Sequence, residues 1–299
     1  MWIAMTLLTF LCWGIADLFY KIGNRDEGEY NHLKTGIMVG LVMGIHATIF
    51  LILNHTNITL IDILKYLPVS FFYISSMVIG YRGLKYLELS ISSPVQNTSG
   101  VITALLLLIF FHESFDYPFY IAVVLIFIGI FSLSLIQIKE NKEKRIEYKK
   151  NNKWSKVFAL TILFPLVYCV LDGAGTFLDG IFLDKLSLIN EDTALVAYEY
   201  TFLIYGLVTW IYLRSKKQAF NIPKEKPKLL AAIFETAGQF FYVYAMSGNA
   251  TISAPIVGSY CVLSMLLSRV FLKEKLTKKE YIAIALVLIG IVILAIMDI

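Results

Sequence analysis

The chain has 299 residues, of which 58% are hydrophobic and only 16% are charged, and its formal net charge is +4. Soluble domains contain roughly 45–50% apolar and about 25% charged residues, so this composition excludes a water-soluble globular protein. The basic residues are scattered over separate loops, which argues against a nucleic-acid partner. The expected surroundings are a lipid bilayer.

Long apolar blocks follow one another along the chain. A spanning helix needs about 20 mostly apolar residues. In chain order the blocks of this kind are 1–20, 35–53, 66–84, 91–111, 117–136, 157–178, 193–213, 229–246, 252–271 and 280–297. The first is predicted as a helix rather than a cleaved signal, because it is long and no basic residue precedes Lys21. The sequence therefore predicts an all-α integral membrane protein with ten transmembrane helices.

The Lys and Arg residues indicate which way these helices cross. Odd-numbered connections between the ten helices contain 24 of the 26 Lys and Arg residues, and even-numbered connections contain only Lys65 and Lys185. Because cytoplasmic loops collect Lys and Arg, the odd connections are predicted to be cytoplasmic and both termini to lie outside. We expect a multi-pass protein of the plasma membrane.

One stretch of the sequence occurs twice at a constant offset of 161 residues. It matches Ile91-Ser92 to Ile252-Ser253, Pro94 to Pro255, Glu113 to Glu274, Tyr120-Ile121-Ala122 to Tyr281-Ile282-Ala283, and Gly129 to Gly290. A weaker match, 155 residues apart, links Asp17 in the first helix to Asp172 in the sixth. Helices four and five therefore recur as helices nine and ten.

Five helices form each copy, and an odd number of crossings inverts the second copy relative to the first. Inverted repeats are typical of secondary transporters. The predicted organisation is a first five-helix repeat at 1–136, a basic cytoplasmic linker at 137–155, and a second, inverted five-helix repeat at 156–299.

With these features the chain resembles the drug/metabolite transporter (DMT) superfamily, in its EamA-type ten-helix branch. The residues that carry the resemblance are Phe10-Leu11-Cys12-Trp13-Gly14, Ile91-Ser92-Ser93-Pro94, Ile252-Ser253-Ala254-Pro255, Phe111-His112-Glu113, Leu272-Lys273-Glu274, Gly129 and Gly290. The resemblance implies a basket of ten helices, a substrate cavity between the halves, and alternating access. It implies no particular substrate. The predicted external termini depart from the cytoplasmic termini associated with many members.

Four acids, Asp17, Asp172, Glu199 and Glu235, fall within apolar blocks. Ionisable groups in a bilayer are candidates for function by default. Asp17 precedes Lys21 by four residues, a spacing that favours an interfacial ion pair on one helix face. A carboxylate removed from water is harder to ionise, so such groups suit either a coupling proton or a bound cation.

Other polar residues accompany these acids. Glu199 lies in Ala-Tyr-Glu-Tyr-Thr, and aromatic rings beside an acid could hold a cation. Glu235 shares a helix face with Gln239 and Tyr242. The predicted substrate site consists of Trp13, Gln96, Asn97, Asp172, Glu199, Glu235, Gln239 and Tyr260. Hydrogen bonding between packed helices is the alternative role for each polar member.

The predicted function is a secondary transporter for a small polar or cationic metabolite, with proton coupling as an option. A passive channel and a lipid or lipid-linked-sugar flippase are the alternatives. The sequence contains no H-E-x-x-H and no Gly-rich phosphate loop, so no enzyme is predicted. Its three cysteines lie in apolar blocks without metal-binding spacing, and we expect no cofactor and no metal.

Overall fold

The computed structural model describes residues 1–24, 29–55, 57–83, 97–148, 154–273 and 275–297. In these ranges the chain forms α-helices and no strand. The helices are α1 (Trp2–Gly23), α2 (Asn31–Asn54), α3 (Leu60–Gly83), α4 (Ser99–Phe111), α5 (Tyr117–Tyr148), α6 (Trp154–Asp179), α7 (Glu191–Ser215), α8 (Lys226–Val257), α9 (Tyr260–Phe271) and α10 (Lys278–Ile296). A π-helical turn, Gly180–Lys185, follows α6, and a 3₁₀ turn, Ile222–Lys224, precedes α8.

Eight of the described helices are long and apolar enough to cross a membrane. The exceptions are α4, with 13 residues, and α9, with 12. The first part of the predicted block 91–111 lies outside the described residues, which resume at 97. The all-helical, multi-pass prediction is confirmed, whereas the count of ten spans stays a prediction.

The sequence predicts an eighth helix at 229–246 and a ninth at 252–271, but the structure places the break between them at other residues. Helix α8 continues to Val257 through a kink at Asn249, whose φ of −166° and ψ of 92° are not helical. The Asn249 side chain accepts a hydrogen bond from the Ile252 N–H at 3.0 Å and so caps the restarted helix. The next break falls at Gly258 and Ser259, where the Ser259 hydroxyl donates to the Pro255 carbonyl at 2.6 Å. Helix α5 also continues as far as Tyr148, beyond its predicted end at 136.

Helices of one half pack mainly against helices of the other half. The main pairs are α1 with α8, α3 with α6, α2 with α7, and α5 with α10. Exchanging each helix for the one five places away in chain order turns the pair α1–α8 into the pair α6–α3. The same replacement maps each of the other two pairs onto itself. The packing therefore has the pattern of an internal two-fold axis.

The α5–α10 pair shows this symmetry at single residues. Gly129 of α5 abuts Val287 of α10, and Gly290 of α10 abuts Ile126 of α5. The offset of 161 residues converts one contact into the other, since it joins Gly129 to Gly290 and Ile126 to Val287. The two helices run antiparallel at this contact. Small residues allow such close approach between helices in a membrane.

We expect Gly129→Ala to destabilise the protein by ~1–3 kcal/mol, the usual range for overpacking a tight contact. A Cβ at Gly129 would lie 2.8 Å from the Ala283 carbonyl oxygen, which belongs to rigid helix backbone. Thermal unfolding of the purified protein in detergent measures the effect. Gly173→Ala is the matched control, because its Cβ would meet its nearest neighbour at 3.6 Å. Equal melting temperatures for the two variants would contradict the prediction.

Ion pairs tie the connections together at the two ends of the bundle. At one end, called the Lys34 end, Lys34 lies 3.3 Å from Glu225, which also pairs with Lys228. Burial alone would raise the pKa of Glu225, but its contacts with Lys228 and Lys34 outweigh burial and lower the pKa. At the other end, called the Lys185 end, Lys185 pairs with Glu113 and lies 2.7 Å from Asp184. In the part of the chain that the structure describes, these ion pairs bring the first and seventh connections together at the Lys34 end and the fourth and sixth connections together at the Lys185 end.

Candidate functional site

A cavity of about 80 Å³ lies among α1, α3, α6 and α8, with α4, α7 and the α8–α9 junction completing its wall. A space of this size holds several water molecules. Its wall contains three acids, Asp17, Asp172 and Glu235, and seven tyrosines, Tyr20, Tyr73, Tyr81, Tyr168, Tyr198, Tyr242 and Tyr260. Among the described residues, the wall includes no Lys, Arg or His.

Two of the acids are held in corresponding ways by the two halves. Asp17 of α1 accepts a hydrogen bond from Ser264 of α9 at 2.5 Å. Asp172 of α6 accepts one from Ser99 of α4 at 2.6 Å. Asp17 and Asp172 are 155 residues apart, and so are the wall residues Trp13 and Tyr168. Each half thus contributes one aromatic ring and one serine-bonded aspartate.

The third acid, Glu235, has a different setting. It lies on α8 with 8% of its surface exposed, and the Tyr20 hydroxyl donates to its Oε2 at 3.4 Å. Its own carbonyl oxygen accepts from Trp13 Nε1 at 3.3 Å. Glu235 lines the same cavity as Asp17 and Asp172. The carboxyl groups therefore act on one shared space.

Aromatic rings line the same space. The Trp13 ring lies 5.0 Å from the ring of Tyr242 and 6.0 Å from that of Tyr260, measured between centroids. Trp13 packs against Gly238, where no side chain could fit without moving the indole. Ring faces attract cations, and carboxylates add full charges to that attraction. The arrangement is chemically suited to an organic cation.

Five of the eight residues predicted for the substrate site lie in the wall of this cavity, namely Trp13, Asn97, Asp172, Glu235 and Tyr260. Gln96 lies outside the described residues. Gln239 is buried at 1% exposure on α8 but does not reach the wall, and no described residue forms a hydrogen bond with its Nε2.

Glu199 lies away from the cavity. Its carboxylate is fully buried and contacts His46 Nδ1 of α2 at 2.8 Å, an ion pair when His46 is protonated. The neighbouring Tyr198 lines the cavity. Successive helical residues point about 100° apart, so a helix that presents Tyr198 to the cavity turns Glu199 toward α2. The position of Glu199 therefore does not support its predicted role in substrate binding.

Two interior acids, Asp17 and Asp179, are absent from the substrate site that the sequence predicts. Asp17, whose spacing to Lys21 favours an interfacial ion pair, lines the cavity. Asp179 is fully buried at the end of α6 and accepts a hydrogen bond from Tyr66. The predicted block ended at 178 and so left Asp179 out. The spacing of Asp172, Thr176 and Asp179, by four and then three residues, marks one helix face and could have revealed it.

Comparison with known proteins adds to this geometry. The sequence matches the model of the EamA-like transporter family over residues 1–135 and 159–296. An uncharacterized protein of Methanocaldococcus jannaschii is 33% identical over 139 residues, which cover 45% of this chain and 96% of that protein. A protein of known crystal structure superposes with a TM-score of 0.69 at 11% identity, covering 97% of this chain and 94% of that one. At this identity the structural likeness shows the fold alone.

Proposed function

The chain belongs to the EamA-like transporter family, and on that basis we propose that it is a secondary transporter for a small organic cation. In this proposal the solute crosses the plasma membrane by alternating access, through the cavity among α1, α3, α6 and α8. The family supports membrane transport in general, and the cavity wall supports the substrate class.

The residues of the cavity wall are the observation that supports a cationic substrate. Three carboxyl groups and seven tyrosines surround a space whose described wall holds no basic residue. An anionic solute would be repelled by the carboxyl groups, whereas a cation would neutralise a buried carboxylate and lie against ring faces. Asn97 adds an amide for a polar substituent. We therefore place an amine or a quaternary ammonium compound first among substrates, with neutral polar metabolites next.

Alternating access requires two related halves, which we propose to be inverted five-helix repeats of ten spans in all, at 1–136 and 156–299. The antiparallel contact of α5 with α10 supports this inversion, as does the exchange of α1–α8 with α3–α6. The M. jannaschii relative, aligned over 96% of its length by 139 residues, is about as long as one repeat. Inverted repeats allow one fold to open toward either face.

The location of the cavity supports a conformation that is closed at the Lys185 end. Its wall includes Tyr20 and Tyr81, which lie in the last turns of α1 and α3, near the Lys34 end. Toward the other end the space is bounded by Tyr73 and Tyr242, whose hydroxyl oxygens are 2.7 Å apart. Because Lys and Arg collect in the cytoplasm, we propose that the Lys34 end is cytoplasmic and that both termini are outside.

A screen in proteoliposomes tests this function. The purified protein is reconstituted in liposomes, and uptake of radiolabelled amines, quaternary ammonium compounds, amino acids, sugars and nucleosides is measured in turn, with a pH dye inside to report any accompanying movement of protons. We expect uptake of an amine or ammonium compound that saturates and that a second such compound competes down. Uptake confined to sugars or nucleosides would overturn the substrate class, and flux that does not saturate would indicate a channel.

A further inference from the structure

Asp179 is the last residue of α6 and lies behind the wall of the cavity. None of its surface is exposed. The Tyr66 hydroxyl donates a hydrogen bond to Oδ1, whereas Oδ2 is buried and has no hydrogen-bond partner among the described residues. Buried polar atoms are normally paired, so a lone carboxyl oxygen in the interior calls for an explanation.

Tyrosines surround this carboxyl group on several sides. The titratable groups that face it are Tyr66 and Tyr73 of α3, Tyr198 of α7, Tyr242 of α8, and Asp172 two turns earlier on α6. In the described part of the chain, no base is among the groups that face it. The nearest Lys along the chain, Lys185, pairs with Glu113 and Asp184 at the end of the bundle.

One layer of hydroxyl groups separates Asp179 from the cavity. The hydroxyls of Tyr73 and Tyr242 are 2.7 Å apart, and Tyr73 also donates at 2.9 Å to Thr176, which lies three residues before Asp179 on α6. All three of these residues line the cavity, and Asp179 does not. A hydroxyl both donates and accepts, so this layer can pass a proton between Asp179 and the cavity.

The charge of the group decides which ligand fits. An ionised carboxylate buried without a cation costs several kcal/mol, and one unsatisfied oxygen adds to that cost. A proton removes the charge and needs no additional space. A bound metal ion would need several oxygen ligands, and the described contacts of Oδ2 supply none.

We propose that Asp179 is a proton-binding site that communicates with the cavity through the hydroxyls of Tyr73 and Tyr242. On release, the O–H bond of the Asp179 carboxyl breaks and its proton passes to a tyrosine oxygen. That tyrosine gives up its own hydroxyl proton toward the cavity, and Asp179 remains as a carboxylate. If the proposed transport of a cation holds, a cation of charge +1 enters the cavity as one proton leaves Asp179. The total charge of the cavity and Asp179 then stays the same.

Infrared difference spectroscopy of the full-length protein tests the site without any solute. The wild type and Asp179→Asn are titrated over a range of pH in KCl, and their spectra are subtracted. We expect the carbonyl band of a protonated carboxylic acid in the wild type, its loss on raising the pH, and its absence from the variant. Glu199→Gln is the matched control, because it removes a buried carboxyl that pairs with His46, and it should keep the Asp179 band.

Several other results of these measurements would also decide for or against the proton site. Identical wild-type and Asp179→Asn spectra would overturn the proposal, and so would a band that NaCl abolishes at constant pH, which would indicate a sodium site. If Asp179→Asn does not fold, Tyr66→Phe should shift the same band by removing its hydrogen-bond donor, and an unshifted band counts against the site. The Tyr73→Phe, Tyr242→Phe double variant should slow exchange of the carboxyl proton for deuterium, whereas an unchanged rate would exclude the hydroxyl route.

The proposed transport of a cation and the proposed proton site at Asp179 can be overturned independently of each other. A solute screen without any transported cation would overturn the proposed function and leave the titration of Asp179 interpretable. Transport of an amine by a protein whose Asp179 shows no protonated band would leave the transporter and remove the proton site.

Discussion

Glu235→Gln is expected to lower the apparent affinity for a transported cation by at least a hundredfold. The side chain is 8% exposed and shares the cavity with Asp17 and Asp172, in a wall whose described part lacks a base. Removing one partner of a buried charge pair costs ~3–5 kcal/mol, and each 1.4 kcal/mol corresponds to about tenfold in affinity. Glutamine keeps the shape of the side chain and removes its charge. Initial rates of uptake against solute concentration, in proteoliposomes, measure the change.

Glu199→Gln is the control for this experiment. It neutralises another buried glutamate, one that contacts His46 between α2 and α7 and does not line the cavity. We expect its apparent affinity to match that of the wild type, although its stability will fall because His46 loses its partner. A normal affinity in Glu235→Gln, or an equal loss in both variants, would remove Glu235 from the binding site.

Lys185→Met is expected to open the bundle at the Lys185 end. The Lys185 side chain is 9% exposed and pairs with both Glu113 and Asp184. Those acids also hold the kinked part of α8, since Thr251 donates to Glu113 at 2.6 Å and the Ala250 N–H donates to Asp184 at 2.9 Å. Without the cation two carboxylates face each other, at a cost of ~3–5 kcal/mol. The closed conformation should lose that much relative to the open one.

Thiol labelling measures this opening. The three native cysteines, Cys12, Cys169 and Cys261, are replaced by alanine, and Thr176→Cys places a thiol in the cavity wall. A membrane-impermeant reagent added outside intact cells should label this thiol at least ~tenfold faster after Lys185→Met, given that 1.4 kcal/mol is tenfold. Lys65→Met is the control, because Lys65 is exposed at the same end and donates only to the Leu188 carbonyl among its described contacts. Equal labelling in the two variants would refute the closure.

Much of the architecture could be predicted from local patterns. Apolar length located the helices, and the offset of 161 residues paired Gly129 with Gly290 before the structure brought α5 and α10 together. The residues at which helices kink or end were harder to predict from the sequence. Asn249 kinks α8, and the Gly258–Ser259 step separates α8 from α9; both breaks involve single side-chain hydrogen bonds, which apolar length does not report.

The site was predicted less completely, because its members meet only through tertiary packing. Glu199 has tyrosines beside it in sequence, yet its partner His46 lies 153 residues away. Asp17 has Lys21 one turn on, yet its described hydrogen bond comes from Ser264, 247 residues away. Spacing within one helix reports which residues share a face. It does not report which neighbouring helix that face meets.

The matched walls of the cavity bear on the direction of transport. Asp17 and Asp172 both line the cavity, and each accepts a hydrogen bond from a serine, so each half offers a bound cation one carboxyl group of similar setting. A ligand shifts a conformational equilibrium only by its difference in affinity for the two states. A cation that meets equivalent groups in both states therefore biases neither. Import or export of a cation that crosses alone would then follow its concentration gradient and the membrane potential, which contributes about 2.3 kcal/mol per charge for every 100 mV. One-for-one exchange with the Asp179 proton would move no net charge and would follow the two concentration gradients instead.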